Sequence, residues 1–347
     1  MIRFFLAQIF FYILLLINIQ LPVYAADRFC HIEDEKLRIS EETLGIALLI
    51  GNNAYKSTTL KHPINDAIDI GKLLKKFKFS VALIKNISNR QKFRIIIDNF
   101  INCLRIDTNL VAFFYFSGYG KYVEIQGEKN INNYLLPTND SNINDIYDIT
   151  DDGYSVQTLF LKLGEKLPEN RKIFVLDACR NYPKFEIGDG LAEMKVEYID
   201  NYFISFPTLI SKIDDDDERI KSETIKSDPW KTRNSLYVKH LLKKLEDVKK
   251  ADGAVRIERV FDEIKDSMEE DERNKFERGN LKQKAFFFPT AAVLSPPFCF
   301  DKKCKTQDVC PASGCKEEND TSTQKGEGST ENENKRYPRQ FTMPPGH

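Results

Sequence analysis

The chain reads as an α/β protein: a doubly wound, mostly parallel sheet of about six strands with helices on both faces. Two observations carry that reading. Residues 44–50 form a continuous apolar run without alternation, the mark of a strand buried on both faces of a parallel sheet. Further apolar runs recur at 79–84, 110–116 and 172–176, separated by stretches of helical spacing and short connections, the pattern of repeated βα units.

Taken in order, the chain opens with Arg3 followed by an apolar run that only Gln8 interrupts before residue 18, and then Leu21-Pro22-Val23-Tyr24-Ala25. A short apolar run ending in small residues is expected to be a secretory signal, 1–25, cut after Ala25; an uncleaved anchor is the alternative. After the first strand, Gly51-Asn52-Asn53-Ala54-Tyr55 is a turn. Ile64, Ala67, Ile68, Leu73, Leu74 and Phe77 then mark an amphipathic helix with Asp66 in its first turn. A second helix is expected over 90–104, an excursion pairing 123–125 with 134–136, and a third helix over 154–167 capped by Thr150 or Asp151. A fifth strand falls at 202–206. The acidic run at 214–218 and the Lys- and Ser-rich stretch to Lys231 read as a solvated loop. Asn234-Ser235 caps a helix running to Leu245, 255–268 is another helix, and 285–288 a last strand. The organisation is therefore a signal (1–25), a first α/β region (44–183), an acidic linker (184–232), a second region completing the same domain (233–294) and a Cys-rich tail (295–347).

The 51 basic and 52 acidic side chains nearly balance, so overall charge points to no nucleic-acid partner. No second stretch after the signal is apolar enough for a membrane, and an exported protein, secreted or periplasmic, is expected. Seven cysteines suit an oxidising compartment. Cys299, Cys304, Cys310 and Cys315 can pair in three ways, with zinc as an alternative. Cys103 falls in an apolar helical pattern as a small hydrophobe, Cys30 is expected to pair with a tail cysteine, and Cys179 is left as the odd thiol.

The strands of such a sheet present their carboxyl ends to ligands. There the strand ending at Phe116 runs into Ser117-Gly118-Tyr119-Gly120, and the strand ending at Leu176 into Asp177-Ala178-Cys179-Arg180. With Leu60-Lys-His-Pro-Ile-Asn-Asp-Ala67, Asn133-Tyr-Leu-Leu-Pro137, Gly190-Leu-Ala192 and Asn234-Ser235 in the same order, the chain resembles the caspase and metacaspase family of cysteine peptidases over about 44–288. That resemblance makes Cys179 the match to the nucleophile and the N–H groups of Gly120 and Cys179 the match to the oxyanion hole. It also makes Asp66, Ser117 and Asp177 the match to the pocket that holds a basic residue before the cleaved bond. Opposite a guanidinium or ammonium two carboxylates are neutralised. In the alternative reading Asp66 caps its helix and Asp177 satisfies backbone N–H groups.

The family pattern has His where this chain has Tyr119. A cysteine peptidase needs a partner that stabilises the thiolate and protonates the departing amine; imidazole titrates near 6.5, whereas a phenol, near 10, never carries positive charge. Of the four histidines, only His62, in the loop after the first strand, could stand in; His31 is expected before the fold, His240 outside the sheet and His347 in the tail. No metal site is expected, although Asp140, Asp151 and Asp152 offer carboxylates for the Ca²⁺ that many metacaspases require. The expected function is a secreted caspase-like pseudopeptidase that binds basic peptide or protein segments, including those of an active paralogue. The alternatives are an active endopeptidase cutting after Arg or Lys and a structural exported domain.

Overall fold

The chain enters its fold as an antiparallel hairpin, β1 (Arg28–Ile32) and β2 (Glu35–Ile39). In the computed structural model the described residues are 27–124, 131–179, 191, 202–209, 233–250, 257–276 and 283–288. The expected signal, the tail with its four cysteines, and most of the acidic linker lie outside them. All described residues belong to one compact unit, Met1–Asp308. No described helix is long and apolar enough to cross a membrane.

β3 (Gly45–Gly51) is buried at every position, which is why its sequence shows no alternation. It feeds α1 (Pro63–Lys76), where Pro63 occupies the first turn and supplies no N–H that would need a partner. β4 (Phe79–Lys85) returns, and Asn89 then caps α2 (Arg90–Leu104) by accepting from the Lys92 N–H at 2.9 Å. β5 (Val111–Glu124) and β6 (Ile131–Leu135) pair antiparallel, but not as 123–125 against 134–136: Val123 lies opposite Asn132 and Tyr134 opposite Lys121, because β5 runs on without a break and the pairing begins at Gly120.

The next segment departs from expectation. Instead of one helix from 154, there is a short helix α3 (Ile146–Asp152), a two-residue strand β7 (Tyr154–Ser155) and α4 (Val156–Lys166). Thr150 and Asp151 do not cap α4; they lie inside α3, which Asp145 caps reciprocally with Asp148. Ser155 caps α4 by accepting from the Thr158 N–H at 3.1 Å. Pairing with β6 extends Tyr154-Ser155, so the helix begins only where that pairing stops.

β8 (Lys172–Cys179), β9 (Tyr202–Leu209), α5 (Leu236–Lys250), α6 (Ile257–Phe276) and β10 (Gln283–Phe288) complete the unit. The main sheet runs β10-β9-β8-β5-β3-β4, parallel throughout except for the β9–β10 pair. α1, α5 and α6 cover one face, with Leu73, Tyr237, Leu241 and Phe261 buried against Tyr115 and Val175. α2 and α4 cover the other, with Phe93, Phe100 and Phe160 against Phe114 and Phe174. Burial of one such side chain is worth roughly 1.5–3 kcal/mol. The chain is thus the doubly wound α/β architecture its sequence predicts. β9 runs on to Leu209, past the expected end at 206, because β10 pairs with it over Ile204 to Leu209.

The hairpin corrects two further expectations. His31 does not precede the fold but sits exposed in β1. Cys30 is bonded to Cys103 of α2, with Cα atoms 5.6 Å apart, rather than to a tail cysteine. Cys103 is therefore no free thiol, although it is as buried as its pattern implied. The bridge ties the hairpin, whose Ile32, Leu37 and Ile39 are buried beside α2, across 73 residues of chain. On chain-entropy grounds Cys30→Ala is expected to cost about 4 kcal/mol. Denaturant unfolding of wild type and variant, each with and without reductant, checks this. Equal midpoints in all four samples would show that the bridge contributes nothing.

Candidate active site

The two polar clusters expected just beyond the strand ends are themselves strand. β5 does not stop at Phe116 but continues through Ser117, Gly118, Tyr119 and Gly120, and β8 continues through Asp177 to Cys179. Their parallel pairing sets Ser117 opposite Asp177 and Tyr119 opposite Cys179. Backbone pairing on both sides of β5, by β8 and by the antiparallel β6 from Gly120 onward, carries the strand past the end of its apolar run.

Close backbone approach fixes the glycines. A Cβ on Gly118 would lie 2.5 Å from the Tyr55 hydroxyl oxygen. That hydroxyl accepts from the Tyr119 N–H at 2.7 Å and donates to the Leu136 carbonyl at 3.2 Å, tying the turn after β3 to the end of β5. A Cβ on Gly120 would lie 2.7 Å from Leu191 Cδ2 and 2.8 Å from Ala178 Cβ. Gly120→Ala is accordingly expected to lose about 1–3 kcal/mol through overpacking, read as a fall of several degrees in melting temperature. An unchanged melting temperature would mean that Leu191 yields freely.

Tyr119 is 4% exposed. Its ring meets that of Tyr55 edge-on at 4.7 Å between centroids, within a cluster that includes Leu60, Val123, Tyr134 and Leu136. The position opposite Cys179 is thus filled by a buried, apolar-packed phenol. His62 stands at the N-terminal boundary of α1, half-buried, with Nδ1 3.1 Å from the Arg233 carbonyl oxygen.

The structure brings Asp66, Ser117 and Asp177 together and adds the segment that joins them. Asp66 is fully buried and does not cap its helix: its Oδ1 accepts from the Ser235 N–H at 3.0 Å. Ser235 Oγ donates to Asp177 Oδ2 at 3.2 Å, and the Tyr115 hydroxyl donates to the same oxygen at 3.1 Å. One residue, Ser235, therefore bridges the two carboxylates. Burial first, and then the charge of Asp177, push the Asp66 carboxyl well above the usual carboxylate range, against hydrogen bonds from Asn234 and Ser235. Burial and the same two carboxylates raise the Tyr115 hydroxyl as well.

A third carboxylate, Asp69, escaped the sequence reading. Its side chain is wholly buried, with Oδ1 2.9 Å from Lys72 Nζ and Oδ2 2.8 Å from Arg233 Nε. Asn234 Nδ2 donates to the same Oδ2 at 3.2 Å. Burial opposes its ionisation, but the hydrogen bonds from Lys72, Arg233 and Asn234 prevail and hold Asp69 below the ordinary value. A signal was present: Asp66 and Asp69 fall among Pro63, Ala67, Ile70 and Leu73, on the apolar side of α1 where a solvated carboxylate has no place.

Asp140, Asp151 and Asp152 are the carboxylates considered for calcium. Both oxygens of Asp140 accept from Ser57, one from its N–H at 3.0 Å and one from its hydroxyl, and Asp151 is exposed on α3. Among the described residues no three His, Cys, Asp or Glu side chains converge as a metal group.

Comparison with known proteins places these observations. A family model described as the caspase domain matches residues 44–288. Among solved structures, one titled pro-Sf-caspase-1 is 14% identical over 71% of this chain and 91% of that one, with a TM-score of 0.46. Caspase-1 from Spodoptera frugiperda is 14% identical over 76% of this chain and 93% of that one, with a TM-score of 0.47. No curated protein sequence matches.

Proposed function

This chain belongs to the caspase-domain family, and on that premise we propose that it is a secreted pseudopeptidase that binds basic peptide segments instead of cutting them. The observation that carries the reading is the register of β5 and β8, which sets Tyr119 opposite Cys179. Thiolate stabilisation and protonation of the leaving amine both need a group that titrates near neutrality, and a phenol buried beside Tyr55 supplies neither. Losing an acid–base partner costs on the order of 10²–10⁴-fold in rate.

The binding half of the reading is supported by Asp66 and Asp177. Two carboxylates bridged by one serine repel each other and raise the Asp66 pKa; a cation placed between them removes that penalty. A basic segment, from another protein or from an active relative of this chain, is the ligand this chemistry suits. The disulfide of the hairpin accords with export, as does the expected signal.

One observation favours the rival reading of an endopeptidase cutting after Arg or Lys: Cys179 is retained at the end of β8, two residues after Asp177. Hydrolysis of an arginyl fluorogenic peptide, with and without calcium, separates the two. Wild-type protein is expected to match Cys179→Ala in turnover while still binding the peptide. Turnover that the alanine variant abolishes would establish the peptidase.

A further inference from the structure

Among the described residues, three buried side-chain atoms lack a hydrogen-bonding partner: Asp66 Oδ2, Asn234 Oδ1 and the Tyr154 hydroxyl. Two of the three belong to adjoining side chains of the acidic pocket, both at most 1% exposed. The amide of Asn234 has a defined orientation. Its Nδ2 donates to Asp69 Oδ2 and lies against Asp66, so turning it over would set oxygen against carboxylate oxygen. Oδ1 is therefore left as an acceptor. Buried acceptors next to a carboxylate pair call for a ligand that brings one positive charge and several N–H donors.

Planar and compact cations differ here. A guanidinium spreads five N–H donors over a rigid plane and can address several acceptors at once, whereas an ammonium offers three from a single nitrogen. We propose that Asn234 is a ligand-binding residue, its Oδ1 and the Asp66 Oδ2 jointly accepting from one guanidinium or amidinium and so selecting that group over a primary ammonium. The inference rests on the basic-segment reading above and names the residue that sets its specificity. Arg233 and Asp69 act as positioning residues. The Arg233–Asp69 ion pair and the Asn234–Asp69 hydrogen bond pin the entry to α5 onto α1, which also delivers Ser235 to its bridge between Asp66 and Asp177.

The test is calorimetric titration of the full mature chain with Nα-acetyl-arginine amide and Nα-acetyl-lysine amide. Wild type is expected to bind the arginine compound at least about tenfold more tightly. Asn234→Ala is expected to lose about tenfold for arginine while changing lysine binding by less than twofold. Arg233→Gln, altering a side chain that is 41% exposed, reads the positioning role without opening the core. It should narrow the preference for arginine, and the loss of a partner for the buried Asp69 should lower the melting temperature as well. Equal wild-type affinities, or an equal loss of both ligands in Asn234→Ala, would overturn this inference alone and leave basic-segment binding standing. Undiminished preference in Arg233→Gln would remove the positioning role. Failure of wild type to bind either compound would overturn the binding reading itself and this inference with it.

Discussion

Tyr119→His is expected to raise kcat/KM on an arginyl peptide by about 10²–10⁴-fold over wild type, the span that a general acid–base partner contributes. The geometry makes this the most direct change available. Position 119 is already set opposite Cys179 by parallel pairing, and its backbone is held by the Tyr55 hydroxyl and by β6, so a new side chain there inherits a fixed origin. An imidazole would add the one property the phenol lacks, a charge that comes and goes near pH 7. Alkylation of Cys179 by iodoacetamide should then proceed at lower pH than in wild type, because an imidazolium stabilises the thiolate. The exchange should also cost about 0.5–1.5 kcal/mol from the lost Tyr55–Tyr119 ring pair, a small fall in melting temperature. A folded variant with no gain in turnover and no shift in alkylation would show that more than the partner has been lost from the cleft.

The second large effect falls on Asp66. Asp66→Asn is expected to weaken basic-peptide binding at least tenfold and, at the same time, to stabilise the empty protein by about 1–3 kcal/mol at pH 8, the range for relieving a poorly satisfied buried polar group. The sign follows from the raised pKa. Folded Asp66 holds its proton to higher pH than the unfolded chain does, so its contribution to stability is fully present below the ordinary aspartate value and is lost as pH rises through the folded value. Asparagine does not titrate, so the stability gap between variant and wild type should widen from acid toward pH 8. Melting temperatures of both proteins across that range measure it. A gap that narrows with rising pH would mean that Asp66 is stabilised as a carboxylate and that the burial account is wrong. Cationic ligand favours the ionised pair, so wild-type affinity should rise with pH over the same interval. A residue that destabilises the empty fold while serving a ligand is the usual trade at a binding site.

Much of the molecule was legible in its residues. The unbroken apolar run of β3 announced a strand covered on both faces, and α2 begins at Arg90 and ends at Leu104 as the sequence implied. The order of motifs placed Asp66, Ser117, Asp177 and Cys179 at one end of the sheet, and the backbone register brings Ser117 and Asp177 side by side. These features are local, or follow from the rule that parallel strands present the same end to a ligand.

What escaped the sequence depends on distant partners. The end of each apolar run suggested that the strands stop at Phe116 and Leu176, yet Ser117–Gly120 and Asp177–Cys179 are strand, because ladder hydrogen bonds act on backbone and are indifferent to the side chains they carry. Cys30 finds Cys103 only when the hairpin folds against α2. Asp69 lies on the apolar side of α1, but its partner Arg233 is 164 residues away and reaches it only in the folded chain. Periodicity reports on neighbours within a few residues, whereas a buried charge is decided by whichever groups the finished chain packs around it.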